Sequence, residues 1–290
     1  MWIIALLAGC LASAPAAPVP SPWTTLVPGL ELAQFALTPS HVGDSTLHVA
    51  RVDPHVLRLE LHLATEEGGR PLPVDAWLDR TAALVAINPA MFSSGVVGGA
   101  AYTATARSVN NPRWAAGQRS VLALDPITPT DPAFHIYNLG CGANVGADPA
   151  TETAGYRTRM QSIRGLGCAG ENVWSDQPKE WSAAMVGEDG EGRALFLFVR
   201  SPYRMHDLID QLRALPLDLR AIQYGEGGPE AFLAVRTPAL TTTWTGSWET
   251  AFNENDDVHD AGDLPNVLIA RASTGTADPG AQHTSRQPRR

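Results

Sequence analysis

Residues 181–235 read WSAAMVGEDGEGRALFLFVRSPYRMHDLIDQLRALPLDLRAIQYGEGGPEAFLAV, and this stretch decides the fold. Ser182 to Val186 is strand-like, and Glu188-Asp189-Gly190-Glu191-Gly192 has the composition of a hairpin turn. Ala194 to Arg200 is an apolar run of strand length. Met205, Leu208, Ile209, Leu212 and Leu215 then repeat at i, i+3, i+4 and i+7, the spacing of one helix face, and Pro216 ends that helix. Leu219 to Tyr224 supplies another strand, which runs into Gly225-Glu226-Gly227-Gly228-Pro229-Glu230 and a further strand, Ala231 to Val235. Strands outnumber helices, so the expected class is α+β: a mixed β-sheet with a few packed helices in a single large domain.

Working towards the N-terminus, Leu47 to Val52 and Val56 to Leu63 read as strands, the second with clean period-2 alternation, joined by a turn at Asp53-Pro54. Val74 to Arg80 reads as a short helix and Ala82 to Ile87 as a buried strand leading into Asn88-Pro89-Ala90-Met91-Phe92. Residues 103–120 look irregular, Val121 to Leu124 and Phe134 to Leu139 strand-like, and Cys141 to Tyr156 a loop. Towards the C-terminus, Leu264 to Ala270 is the last expected strand, and 272–290 has the composition of a disordered tail. The domain is thereby expected over 23–271.

Charge and cysteine usage narrow the function. A net charge of −9 argues against a nucleic-acid partner, which wants a basic footprint. Ile3 to Ala8 is an apolar run too short to span a bilayer and reads as part of a secretion signal. Leu7-Ala8-Gly9-Cys10 resembles a lipobox, which makes Cys10 a lipidation site and Leu11 to Pro22 a tether; the other reading is an ordinary signal peptide over 1–22. The expected location is the outer membrane or cell surface through a lipid anchor, or else the periplasm or medium. With Cys10 so used, Cys141 and Cys168 are an even pair in an exported chain, either a disulfide or two free buried thiols. Four histidines, His41, His48, His55 and His62, recur every seven residues, but an odd offset on strands alternates faces and argues against a metal site. The run Asn253-Glu254-Asn255-Asp256-Asp257 with Asp260 and Asp263 is a solvated acidic loop or a site for a divalent cation such as Ca²⁺.

Several motifs, in order, resemble those of the phosphodiester glycosidase family. Ala86-Ile87-Asn88-Pro89-Ala90-Met91-Phe92 is similar to that family's Ala-x-Asn-Ala-Gly-Phe-Phe segment, and Trp181 to Val199 to its Arg-(Ser/Thr)-Ala unit. Tyr224 to Glu230 resembles its Asn-Leu-Asp-Gly-Gly-Gly-Ser signature, Leu264-Pro265-Asn266-Val267 its Pro-Asn close, and Gln161-Ser162-Ile163-Arg164 sits where the family has a short motif. Three positions depart from the pattern: Glu226 replaces Asp, Ala90 replaces Gly, and Trp181 stands where the family has Arg. The resemblance implies an exported hydrolase of a sugar-1-phosphate diester or related glycosidic linkage. A non-catalytic glycan-binding surface protein on the same fold is the alternative.

On that resemblance Glu226 is the central acid and Glu230 its partner, since carboxylates supply general acid, base or nucleophile at an anomeric carbon. Gly227 and Gly228 would offer backbone N–H groups to an anion. Asn88 would bind a sugar hydroxyl or cap a strand end, and Arg164 would pair with a phosphate or stand as a surface charge. Gln161 and Ser162 complete the expected binding residues. Read from spacing alone, Glu226 to Glu230 is a tight hairpin turn, and it is the resemblance that makes it a site.

Overall fold

The computed structural model describes residues 22–92 and 97–273. Its strands are β1 (Thr24–Val27), β2 (Leu30–Ala36), β3 (Thr46–Val52), β4 (Leu57–Leu63), β5 (Val85–Ile87), β6 (Thr103–Ala104), β7 (Val109–Asn111), β8 (Ser120–Pro126), β9 (Phe134–Asn138), β10 (Tyr156–Ser162), β11 (Trp181–Asp189), β12 (Ala194–Tyr203), β13 (Leu219–Gly227), β14 (Phe232–Arg236), β15 (Thr241–Thr245) and β16 (Asn266–Ala272). Its helices are α1 (Val74–Thr81), α2 (Pro149–Glu152) and α3 (Met205–Ala214). The signal and lipobox with Cys10, and the tail beyond Ser273, lie outside the described residues.

The strands form three sheets with orders β1-β2-β3-β12-β11-β13, β7-β6-β10-β8-β9 and β15-β14-β5-β16-β4. The α+β class holds and is mainly β. Among the described residues each named strand pair is antiparallel, where the sequence had suggested a mixed sheet. The hairpin at 188–192 forms as expected: β11 and β12 pair from Ala183↔Val199 to Glu188↔Ala194. Buried Asp189 holds the turn by accepting from the Glu191 and Arg193 N–H groups.

Period-2 geometry explains why β12 reads as an uninterrupted apolar run. Phe196 and Phe198 enter a core shared by all three sheets, while Leu195, Leu197 and Val199 enter a second core against Met205, Leu208, Ile209 and Leu212 of α3. β14 and β16 are likewise buried on both faces. Leu233, Val235, Leu268 and Ala270 face the shared core; Phe232, Ala234, Val267 and Ile269 pack against Val74, Trp77 and Leu78 of α1. The first and third sheets therefore stack with α3 and α1 on their outer faces, and the β6–β10 sheet closes the shared core with Leu122, Leu124, Phe134, Ile136 and Met160.

Three segments differ from the sequence reading. Residues 103–120 carry the short strands β6 and β7, the 141–156 loop contains α2, and Thr241–Thr245 forms the edge strand β15. Three consecutive Thr on a half-exposed edge leave almost no apolar alternation to read. Cys141 and Cys168 form the disulfide.

Candidate functional site

β13 carries the chain from the shared core to the candidate site, and one residue on it joins all three sheets. Gln223 is fully buried; its Nε2 donates to the Pro89 and Met160 carbonyls at 2.9 and 3.2 Å, and its Oε1 accepts from Ser120 Oγ at 2.9 Å. Ser162 Oγ donates to the Tyr224 carbonyl at 2.7 Å, and the Tyr224 N–H donates to the Ile163 carbonyl. The end of β13 is thus clamped before it reaches Glu226.

Glu226 lines a cleft of about 340 Å³ together with Met91, Ile163, Trp174, Trp181, Tyr224 and Glu249, with Lys179 and Gln177 at the same opening. Its Oε2 accepts from the Phe92 N–H at 3.2 Å and its Oε1 from the Gly227 N–H at 3.1 Å. Burial pushes its carboxyl up to about 8, against those two N–H donors, and the neighbouring Glu230 and Glu249 add to the rise. Glu230 and Glu249 are themselves raised by burial, and for Glu249 repulsion from Glu230 adds to the rise while Lys179 opposes it. Tyr224 is raised as well, by burial and then by Glu226.

Two glycines are required here by space. A Cβ on Gly227 would lie 2.3 Å from the Tyr224 hydroxyl and 2.6 Å from Trp181 Cδ1. Gly228 has φ +62°, and a Cβ on it would lie 2.5 Å from Glu249 Oε2. The Gly227 N–H is engaged by Glu226, so it does not form the anion cradle expected from the sequence.

The other expected binding residues sit behind the cleft or away from it. Asn88 is buried, donating to the Glu230 carbonyl at 3.1 Å and accepting from the Phe232 N–H at 2.8 Å; its amide fastens the turn to β14. Gln161 exchanges bonds with Ala115 and donates to the Gln118 carbonyl, holding the 115–118 loop. Arg164 Nη1 reaches Cys141 Sγ at 3.9 Å, beside the disulfide rather than in the cleft, because Ile163 takes the inward position. Glu226, Asn88 and Arg164 therefore do not share one cavity.

Glu249 is the residue the sequence reading missed. The Glu249 and Asn253 backbones bond to each other at 2.9 Å in both directions, and Asn253 Nδ2 donates to the Ser247 carbonyl at 2.8 Å. Arg200 anchors the same loop through Asp256 at 2.7 Å and the Thr245 carbonyl at 2.7 Å. The acidic loop, which the sequence offered as a solvated loop or a cation site, thus serves to hold Glu249. The four histidines do not converge either: His48 stacks on Trp244, His62 lies between Glu60 and Glu67, and His41 pairs with Glu180. Among the described residues no group of three or more His, Cys, Asp or Glu is placed to hold a metal ion.

Comparison with known structures gives the fold a context. The chain is similar to the zebrafish N-acetylglucosamine-1-phosphodiester alpha-N-acetylglucosaminidase catalytic domain, auto-inhibited by its pro-peptide, at 13% identity and a TM-score of 0.53 over 85% of this chain and 84% of that one. It is similar to a hypothetical protein from Synechocystis at 10% identity and a TM-score of 0.52, over 88% of this chain and 64% of that one. The relationship is a distant one of fold. No protein-family model matches the chain, and no curated protein matches it.

Proposed function

We propose that the protein is an exported hydrolase that cleaves a glycosidic linkage in the Glu226 cleft. The observation that carries this reading is a carboxyl pushed up to about 8 in an aromatic-walled cleft that a second carboxyl, Glu249, also lines. Two carboxyl groups facing one cleft are what glycoside hydrolysis uses. Glu226, protonated at neutral pH, gives its proton to the leaving oxygen as the anomeric C–O bond breaks. Glu249, in its carboxylate form beside Lys179, takes a proton from the water whose oxygen forms the new C–O bond. Exchange with solvent then restores both groups. The Trp174, Trp181 and Tyr224 rings give a sugar ring apolar faces to pack on.

The fold likeness and the motif resemblance support a hydrolase of this kind. The sugar-1-phosphate diester implied by the motifs is one arm of the test, although Lys179 is the one cation among the residues lining the cleft. Export is supported by the Cys141–Cys168 disulfide, which persists in oxidising compartments. The lipid anchor at Cys10, and with it outer-membrane or surface location, is proposed on the Leu-Ala-Gly-Cys sequence alone.

The test is a panel of nitrophenyl glycosides and sugar-1-phosphodiesters, assayed with wild type and Glu226→Gln. Turnover of at least one member by wild type, reduced about 10² or more in the variant, is expected for a general acid. Tight glycan binding with no turnover by wild type would instead make this a non-catalytic glycan-binding protein.

A further inference from the structure

The walls of the cleft bear on which sugar it accepts. Trp174 and Tyr224 meet with ring centroids 5.2 Å apart at 57°, so two adjoining walls are π-surfaces, and Trp181 supplies a third ring. Glu226 and Glu249 open onto the same space. Glu230 lies close enough to act electrostatically on both. Against these stands Lys179, exposed at the opening and the only lysine in the chain. Among the described residues no arginine lines the cleft. A phosphate or carboxylate entering here meets Glu249 with Glu230 behind it, whereas a cation meets aromatic faces and the Glu249 carboxylate together, the combination that seats organic ammonium groups.

We propose that the cleft selects a sugar bearing a free ammonium group, seated between the Trp174, Trp181 and Tyr224 rings and the Glu249 carboxylate, over its N-acetylated and phosphorylated counterparts. This rests on the reading of the cleft as a sugar site. The ammonium donates its N–H bonds to Glu249 and lies against the rings, and Glu226 remains the acid. Burial and Glu230 disfavour the ionised form of Glu249, and a cation seated beside it favours that form. Lys179 competes for the same carboxylate, as its lowering effect on Glu249 indicates.

Isothermal titration calorimetry at neutral pH and low salt compares three ligands: the methyl glycosides of glucosamine and N-acetylglucosamine, and glucose 1-phosphate. The glucosamine glycoside is expected to bind about tenfold or more tightly than the other two. Its affinity should fall as salt rises. Lys179→Gln, a change at an exposed side chain that leaves the core alone, should tighten it, and Glu249→Gln should weaken it. Three results overturn the proposal: equal affinity for the amino and N-acetyl sugars, preference for the phosphate with loss of that preference in Lys179→Gln, or no binding of the amino sugar. Ammonium-selective binding without turnover leaves the proposal standing and defeats the hydrolase reading. Turnover of neutral glycosides without ammonium selectivity does the reverse.

Discussion

Glu226 owes its chemistry to its place at the end of β13, where the strand leaves the shared core and its carboxyl meets aromatic rings rather than water. Two consequences can be measured at this scale. The first concerns stability. The folded protein holds the Glu226 proton up to about pH 8, while the unfolded chain releases it near its ordinary value of 4.5. Between those limits the folded state binds more protons, so this group's contribution is full below about 4.5 and is lost as pH rises through 8. The slope is about 1.4 kcal/mol per pH unit for a single proton. Glu226→Gln lacks this term. In parallel thermal melts the stability of wild type minus that of the variant should therefore decrease from pH 5 to pH 8; a constant difference would show that Glu226 titrates normally. The second concerns Gly228, whose φ of +62° and contact with Glu249 leave no room for a side chain. Gly228→Ala is expected to cost about 1–2 kcal/mol from the left-handed backbone alone, read by urea unfolding. It should also lower turnover by displacing Glu249.

At the scale of elements, the site depends on β13 being fixed to its neighbours, and Gln223 makes three of the bonds that fix it. Gln223→Leu keeps the volume but strands the Pro89 and Met160 carbonyls and the Ser120 hydroxyl in the core. A loss of about 3 kcal/mol is expected from those unpaired groups, measured by chemical denaturation, with a matching loss of activity as β13 and the Pro89 turn separate. A cost below about 1 kcal/mol would mean that the sheets are held by the apolar core alone. These same elements indicate what could be read from the chain. β11, β12, α3, β13 and β14 were legible because their periodicities are strong and their turns are punctuated by Gly and Pro. The turn from Glu226 to Glu230 was legible as a place, and the 88–92 segment was rightly paired with it, as the Phe92–Glu226 and Asn88–Glu230 bonds show. Roles were harder to read. Asn88, Gln161 and Ser162 have the composition of ligand-binding residues but spend their polar atoms on backbone, which sequence spacing does not reveal. Glu249 escaped because it sits in a loop with no periodicity, brought to the cleft by a bridge to Trp181 across a gap in sequence of several elements. One signal was available and unused: Gln223 is a polar residue in an otherwise apolar strand, and a buried amide in such a place needs partners.

Across the whole molecule, a three-sheet core carries its cleft at one end and a disulfide beside the β9–β10 connection. The Cys141–Cys168 bond joins residues 27 apart in sequence and closes a loop that contains α2 and all of β10. Chain-entropy models put such a closure at roughly 3–4 kcal/mol. Reduction should thus lower the melting temperature clearly, and alkylation after denaturation without reductant should leave both cysteines unlabelled. Labelling of both would remove the disulfide from the account. Neither cysteine lines the cleft, so reduced protein, kept below its melting point, is expected to retain ligand binding. The account as a whole turns on Glu226 being an acid at neutral pH, and that needs no substrate to test. In protein carrying ¹³C-labelled glutamate, the Glu226 carboxyl resonance, identified by its absence in Glu226→Gln, can be followed through a pH titration. The account predicts a midpoint near 8; a midpoint near 4.5, the ordinary glutamate value, would leave Glu226 ionised at neutral pH and contradict its role as the proton donor.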